Sequence, residues 1–384
     1  MKDIQNEEWL DSLTDDLRKN LSDLNAYVIS VICQRVGFIA QSVKEGKTDL
    51  KTATEYAAED IAKIKKEIEK TKKYSQKEIN SIFNKVAAAN VDFANDFYTY
   101  RSMPNIEDYT KNPDLKTIVD DLKKEQEQGV KNLSKTTAIG FTDKHGDFKP
   151  VREKYIQVIN EAIEAVRLGE QNFYTTVRPL VKELTNSGLR RAEFDNEGKR
   201  TYSRRIDSQI EMNVRDGIRE LNSRMQEQVG KEFGADGFEI SAHAICAPDH
   251  QHIQGKQFTK EEFEKENNKL DRKIGELHCK HFKLPIIVGV SKPVYSSKEL
   301  RDLNNRSNAI VKYRDKEYTR YDASLVQRRY ELKIRDARTA LKAAEGTRDE
   351  EQIAREKTRL RILLADYNRF SKEVGLTKKM ERTK

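Results

Sequence analysis

Apolar side chains recur along the first hundred residues at helical spacing. Leu10, Leu13, Leu17, Leu21, Leu24, Val28, Ile32 and Ile39 fall at steps of three, four or seven, which lines them along one face of a helix. Glu45-Gly46-Lys47 is suited to end it, with Gly46 in the left-handed conformation. Leu50, Ala53, Ala57, Ile61, Ile64 and Ile68 mark a second helix. Ser75 followed by Glu78 reads as a capping box opening a third, carrying Ile79, Ile82, Phe83, Val86, Phe93 and Phe97 up to Pro104. A fourth is expected from Asp114 to about Ser134.

Lys144-His-Gly-Asp-Phe-Lys-Pro150 is turn-rich and marks a boundary. Helices are expected at about Val151–Leu168 and Asn172–Leu184, with a polar loop or short hairpin over Asn186–Arg200. Ile206, Ile210, Val214, Ile218, Leu221, Met225 and Val229 then form one unbroken helical stripe, closed by Gly230 and Gly234. Beyond it the period changes. Gly237–His243 alternates Phe238 and Ile240 with Glu239 and Ser241, as a half-buried strand does; Gly255–Thr259 is a second candidate and the β-branched Leu284–Val290 a buried third. The C-terminal stretch reads as a helical hairpin. One arm covers about Asp322–Glu345, Gly346 breaks it, and Thr347 with Glu350 caps a return arm bearing Ile353, Leu360, Leu363, Leu364, Tyr367 and Phe370. The expected fold is mainly α with an embedded small α+β domain. An N-terminal helical docking region spans 1–143, the α+β unit 151–290, and a basic helical hairpin 291–384.

Composition narrows the class. Of 384 residues, 36% are hydrophobic and 35% charged, apolar-poor for a globular chain and suited to long, charge-faced helices. The formal charge of +8 is uneven: residues 291–384 hold 25 Lys and Arg against 15 Asp and Glu, the rest 47 against 49. A basic end attracts nucleic acid or an acidic protein surface, or it is simply a solvated helical face. Three cysteines, Cys33, Cys246 and Cys279, make no disulfide framework and suit a reducing compartment of synthesis. The acidic N-terminus lacks an apolar core for a signal peptide, and no run is long enough for a membrane span.

The candidate chemistry is concentrated. Five of the six histidines and two of the three cysteines lie between His243 and His281. They form His243-x2-Cys246-x2-Asp249-His250-x-His252 and, further on, the group His278-Cys279-x-His281, with 32 residues between Cys246 and Cys279. Thiolate and imidazole are the donors zinc prefers, so His243, Cys246, Cys279 and His281 make a candidate Cys2His2 set, although the spacing is not that of a zinc finger. A catalytic reading makes Asp249 or His250 a general base of a nuclease, with Arg204, Arg205 and Arg215 facing the phosphate. No nucleophile motif or two-carboxylate metal motif accompanies it. In the plainest reading these side chains fasten the loops of a small domain by hydrogen bonds and packing.

The stretches RTYSRRIDSQIEMNVRDGIRELN, EISAHAICAPDHQHIQGKQFT and HCKHFKLPIIVGVSKPVYS, with YRDKEYTRYDASLVQRRYELKIRDAR further on, resemble the phage minor capsid protein 2 family. That family is related to the wider Mu F-type head-morphogenesis proteins. The resemblance runs from about Arg200 to Arg338 and picks out Arg215, Ser241, His243, Cys246, Asp249, His250, Gln254, Gly255, Cys279 and His281. Asp216 stands where a threonine is usual in the family, and His278 and Lys280 where asparagine and arginine flank the cysteine. The resemblance implies a structural virion protein of a tailed phage, not an enzyme. It implies a chain made in the host cytoplasm and carried in the head, associated with the portal or capsid, and acting in head morphogenesis, DNA packaging or delivery. The basic C-terminal region would then lie near packaged DNA.

Overall fold

The computed structural model describes residues 7–46, 49–100, 104–131, 138–166, 170–194, 200–232, 234–276 and 279–384. It is mainly helical with small antiparallel sheets. The N-terminal helices are α1 (Glu7–Ser12), α2 (Asp15–Lys44), α3 (Ala53–Tyr100) and α4 (Pro113–Lys131). Strands β1 (Ile139–Thr142) and β2 (Phe148–Pro150) follow, then α5 (Val151–Val166), α6 (Glu170–Ser187), β3 (Arg190–Phe194), β4 (Arg200–Arg205) and the long α7 (Ile206–Glu232). Next come β5 (Gly237–Ile240), β6 (Gln257–Thr259), α8 (Lys260–Asn267), β7 (Lys283–Ile286) and α9 (Ser297–Asn308). The chain ends with the hairpin β8 (Ile310–Tyr313) and β9 (Lys316–Thr319) and helices α10 (Arg320–Thr347) and α11 (Glu350–Glu373).

Helix α2 lies at the centre, packed by α3, α5, α6, α7 and α10. Its predicted stripe, from Leu17 to Ile39, is buried, and so is every apolar position of the α7 stripe. The largest apolar cluster draws on Leu13 at one end of the chain and Ala343 at the other. The crossing of α2 and α10 depends on two glycines. A Cβ on Gly37 would come 2.3 Å from the Gly346 carbonyl oxygen, and one on Gly346 would come 3.0 Å from Cys33 Cβ. Gly346 is thus inside α10, serving close approach, and does not break the helix as the sequence suggested. The break is two residues later: Arg348 takes the left-handed conformation, and Asp349 caps α11 by accepting from the Gln352 N–H at 3.1 Å. The Thr347 hydroxyl donates back to the Ala344 carbonyl instead.

Ser75 is a second cap that does not form. α3 runs through it without interruption, with Ser75 buried on its inner side. No glycine or proline lies near enough to stop the helical ladder there. Gly46 does take its left-handed place after α2, whereas α7 passes through Gly230 to Glu232 before Gly234 turns the chain. The turn-rich stretch at 144–150 completes the β1–β2 hairpin, with its last three residues forming β2, and the polar stretch after Asn186 contains β3, which pairs with β4; residues 195–199 of that stretch lie outside the described residues. These strands form one sheet in the order β2-β1-β3-β4.

The small sheet β6-β5-β7 is antiparallel, with β5 in the middle. Two expectations are corrected in it. Glu239 is buried rather than exposed, because the segment after β7 folds over it: Oε1 accepts from the Val294 N–H at 2.8 Å and Oε2 from the Gln257 side chain at 2.9 Å. Burial pushes its pKa up. And β7 ends at Ile286; Ile287–Val290 is a turn, leaving Val290 71% exposed.

Charge, not only apolar area, joins the parts. Along α7, Asp207 meets Arg335 (3.1 Å) and Arg205 (3.4 Å), while Glu211 meets Arg18 (3.2 Å), Arg215 (3.3 Å) and Arg328 (3.7 Å). Asp11 on α1 accepts from Arg215 at 2.5 Å and from Lys379 and Arg382 at 2.7 Å each. Burial opposes the charge on Asp11, yet Arg215, Arg382, Lys280 and Lys379 hold its carboxyl far below the usual range. Removing one member of such a buried set strands its partners and costs roughly 3–5 kcal/mol.

Candidate functional site

The soft-ligand residues converge at the end of the small sheet. Ser241 extends β5 and ties it to the chain after β7. Its N–H donates to the Phe282 carbonyl and its hydroxyl accepts from the Phe282 N–H, each at 3.0 Å. This clasp sets His281 opposite His243, with ring centroids 4.4 Å apart. The chain then descends through Cys246 into a single 3-10 turn, Pro248–His250. It returns at Gly255, whose N–H donates to the Ile240 carbonyl at 2.7 Å. Gly255 has φ 67°, and a Cβ there would stand 2.1 Å from a Leu300 methyl, so only glycine fits under α9.

Gln254 is the organiser. Its Oε1 accepts from the His243 N–H at 3.1 Å and lies 3.3 Å from His281 Nε2, and its amide nitrogen donates to Asn304 Oδ1 at 2.6 Å. Helix α9 clamps the loop further. Ser307 donates to the Cys246 carbonyl at 2.7 Å, and Asn308 exchanges amide hydrogen bonds with Gln251 at 2.8 and 2.9 Å. Asn304 and Ser307 escaped the sequence reading. The signal for them was Ser296-x-x-Glu299, a capping box that does form and opens α9.

His281 stands between the two sulfurs. Its Nε2 lies 3.5 Å from Cys246 Sγ and its Nδ1 3.4 Å from Cys279 Sγ. The ring nitrogens of one imidazole point apart, so the four-residue set His243, Cys246, Cys279, His281 does not share one centre. Instead two trios each bring their donor atoms within 4.8 Å: His243, Cys246 and His281, and His250, Cys279 and His281. His278 lies outside the described residues, and His252 is exposed.

His250 is buried, with Nε2 2.6 Å from the Arg272 carbonyl and Nδ1 3.7 Å from Cys279 Sγ. Burial opposes its charge, but the Cys279 sulfur and the Arg272 carbonyl outweigh that and raise its pKa. Burial likewise opposes a Cys279 thiolate. The His250 ring and the backbone at Gly275 and His281 outweigh it and lower the thiol. His281 is held neutral by burial and by the neighbouring His243, His250, Arg272 and Lys280. Both nitrogens of His250 are therefore engaged inside the protein. Asp249 approaches His250 Nε2 only at 3.5 Å, on the atom already facing the carbonyl. The three arginines of the nuclease reading are dispersed. Arg204 is exposed beside Tyr202, Arg205 pairs with Asp207 and Asp336, and Arg215 pairs with Asp11 and Glu211. Arg215 shares with Asp11, Lys280 and His281 the wall of a cavity of about 40 Å³.

The arrangement is a cross-braced centre in which His250, His281 and Gln254 turn ring and amide atoms toward one another, toward the two sulfurs or toward backbone. Among the described residues no helix is long and apolar enough to cross a membrane. No curated protein and no solved structure matches the chain. The family model for phage minor capsid protein 2 matches residues 8–370. That match covers the N-terminal helices, the cysteine–histidine centre and the C-terminal hairpin alike, and the chain belongs to the phage minor capsid protein 2 family.

Proposed function

We propose that this chain is a portal-associated structural protein of a tailed-phage head, acting in head morphogenesis and in packaging or delivery of the genome. The observation that carries this reading is the inward engagement of the cysteine–histidine centre. His250, the best candidate base, has one nitrogen on a backbone carbonyl and the other against a thiol. A general base must reach the proton it abstracts, and here both reaching atoms are occupied. A centre braced by the small sheet and clamped by α9 suits a part that must hold its shape among other proteins. The segments offered to portal or capsid are the outer face of α3, 48 residues long and so spanning about 72 Å, and the α10–α11 hairpin, where Ile362 is 54% exposed.

Quantitative mass spectrometry of purified mature heads, with and without an amber mutation in the gene, tests the reading. The expected result is a few copies per particle, present together with the portal, and defective heads without the chain. Heads of normal composition and infectivity that lack it would refute the proposal. So would cleavage of DNA or RNA by the purified chain, with or without divalent metal, that His250→Ala abolishes.

A further inference from the structure

His250, Cys279 and His281 differ in one respect from an ordinary packed cluster. The Arg272 carbonyl can only accept, so His250 Nε2, 2.6 Å from it, carries the ring proton and Nδ1 presents a lone pair. Gln254 Oε1 is identified as the oxygen by the His243 N–H it accepts, and it places a proton on His281 Nε2 in the same way. His281 Nδ1 is then the second lone pair. Both lone pairs face one sulfur, at 3.7 Å from His250 Nδ1 and 3.4 Å from His281 Nδ1. In a tetrahedral zinc site with Zn–S of about 2.3 Å and Zn–N of about 2.05 Å, sulfur and nitrogen stand about 3.6 Å apart. The two observed separations fall either side of that value. All three side chains are buried, and each imidazole has its outer nitrogen on a protein oxygen, the support that orients a metal-ligating histidine.

The other trio fits less well. Using His281 Nε2 as a ligand would displace the Gln254 oxygen. Cys246 Sγ lies 3.3 Å from the Ala247 carbonyl, a contact only a protonated thiol can make as donor.

We propose that His250 Nδ1, Cys279 Sγ and His281 Nδ1 bind one divalent cation of the zinc type, with water as fourth ligand. The proposal is independent of where in the particle the chain sits. The full-length chain, stripped with a chelator and titrated with zinc alone, is expected to take up one equivalent. X-ray absorption of the loaded protein is expected to show one sulfur and three nitrogen or oxygen neighbours. His250→Ala and Cys279→Ser lose the zinc, while His243→Ala and Cys246→Ser keep it. The sulfur count on the unaltered chain stands even if Cys279→Ser does not fold. A folded chain that takes up no zinc overturns the proposal, as do two sulfurs at the metal, or zinc lost with Cys246→Ser and kept with His250→Ala.

Discussion

Glu211 shows how a single side chain carries more than its local pattern reveals. It sits on α7 among the cations Arg215, Arg18, Arg328 and Arg335. Burial works against its charge, and the four guanidiniums reverse that and hold its carboxyl at about 2, below the ordinary 4.5. A carboxyl lowered on folding stabilises the protein fully above its unfolded value, and that contribution is lost as pH falls through the folded value. The window here is therefore pH 4.5 down to about 2. Glu211→Gln removes the charge and is expected to cost on the order of 3 kcal/mol at pH 7. Denaturant unfolding of both proteins at pH 7 and pH 3 checks this, since the gap between them should shrink in acid. A gap constant across that range would mean that Glu211 acts through packing alone.

At the scale of elements, the start of α11 puts one residue to two uses. Asp349 caps the helix and also receives Arg178 of α6 through both carboxylate oxygens, at 2.6 and 2.9 Å. Asp349→Ala loses both and is expected to cost about 2 kcal/mol, roughly half from the cap. Asp349→Asn keeps the cap and should cost about half as much. Hydrogen exchange at Gln352 and Ile353 reads the cap separately, and equal losses in the two variants would show that the cap contributes nothing. The sequence reading put this cap at Thr347, and another at Ser75. The two errors have different causes. Ser75 and Glu78 lie inside α3, where the backbone N–H is already bonded within the helical ladder; Thr347 is the last residue of α10, its hydroxyl is spent on the Ala344 carbonyl, and the chain turns at Arg348 before Asp349 takes the cap. What was legible was periodicity: the α7 stripe and the β5 core positions are where the pattern put them. What was not legible was tertiary pairing. Asp207, Glu211 and Arg215 look like a solvated face until Arg18, Arg328 and Arg335 arrive from distant helices. The same limit applies to the site, where clustering of soft ligands showed that they meet but not which nitrogen of His281 faces which sulfur.

For the whole molecule, the basic C-terminal end has two populations of cations, and only one can serve a partner. Arg328, Arg335, Lys379 and Arg382 are committed to Glu211, Asp207 and Asp11, so they join the C-terminus to the N-terminus and α7. Lys357, Arg361 and Arg369 are exposed on α11. If packaged DNA is the partner of this end, the contact is made by the second group, and the formal excess overstates it. Non-specific binding of duplex DNA is then expected with a log–log salt slope of roughly −3, since each neutralised phosphate contributes about −0.9. Reversing Lys357, Arg361 and Arg369 to Glu should abolish that binding without loss of stability, because these side chains are exposed. Neutralising Arg335 should do the opposite, lowering stability by roughly 3 kcal/mol by taking from buried Asp207 one of its two cations, with Arg205 left, and leaving the salt slope of the folded fraction unchanged. Fluorescence anisotropy over a salt series, paired with denaturant unfolding of each variant, separates the two groups. Binding that survives the triple reversal, or a slope near zero, would mean that this face of α11 does not meet DNA and that its charge is kept for an acidic protein surface or for solvent.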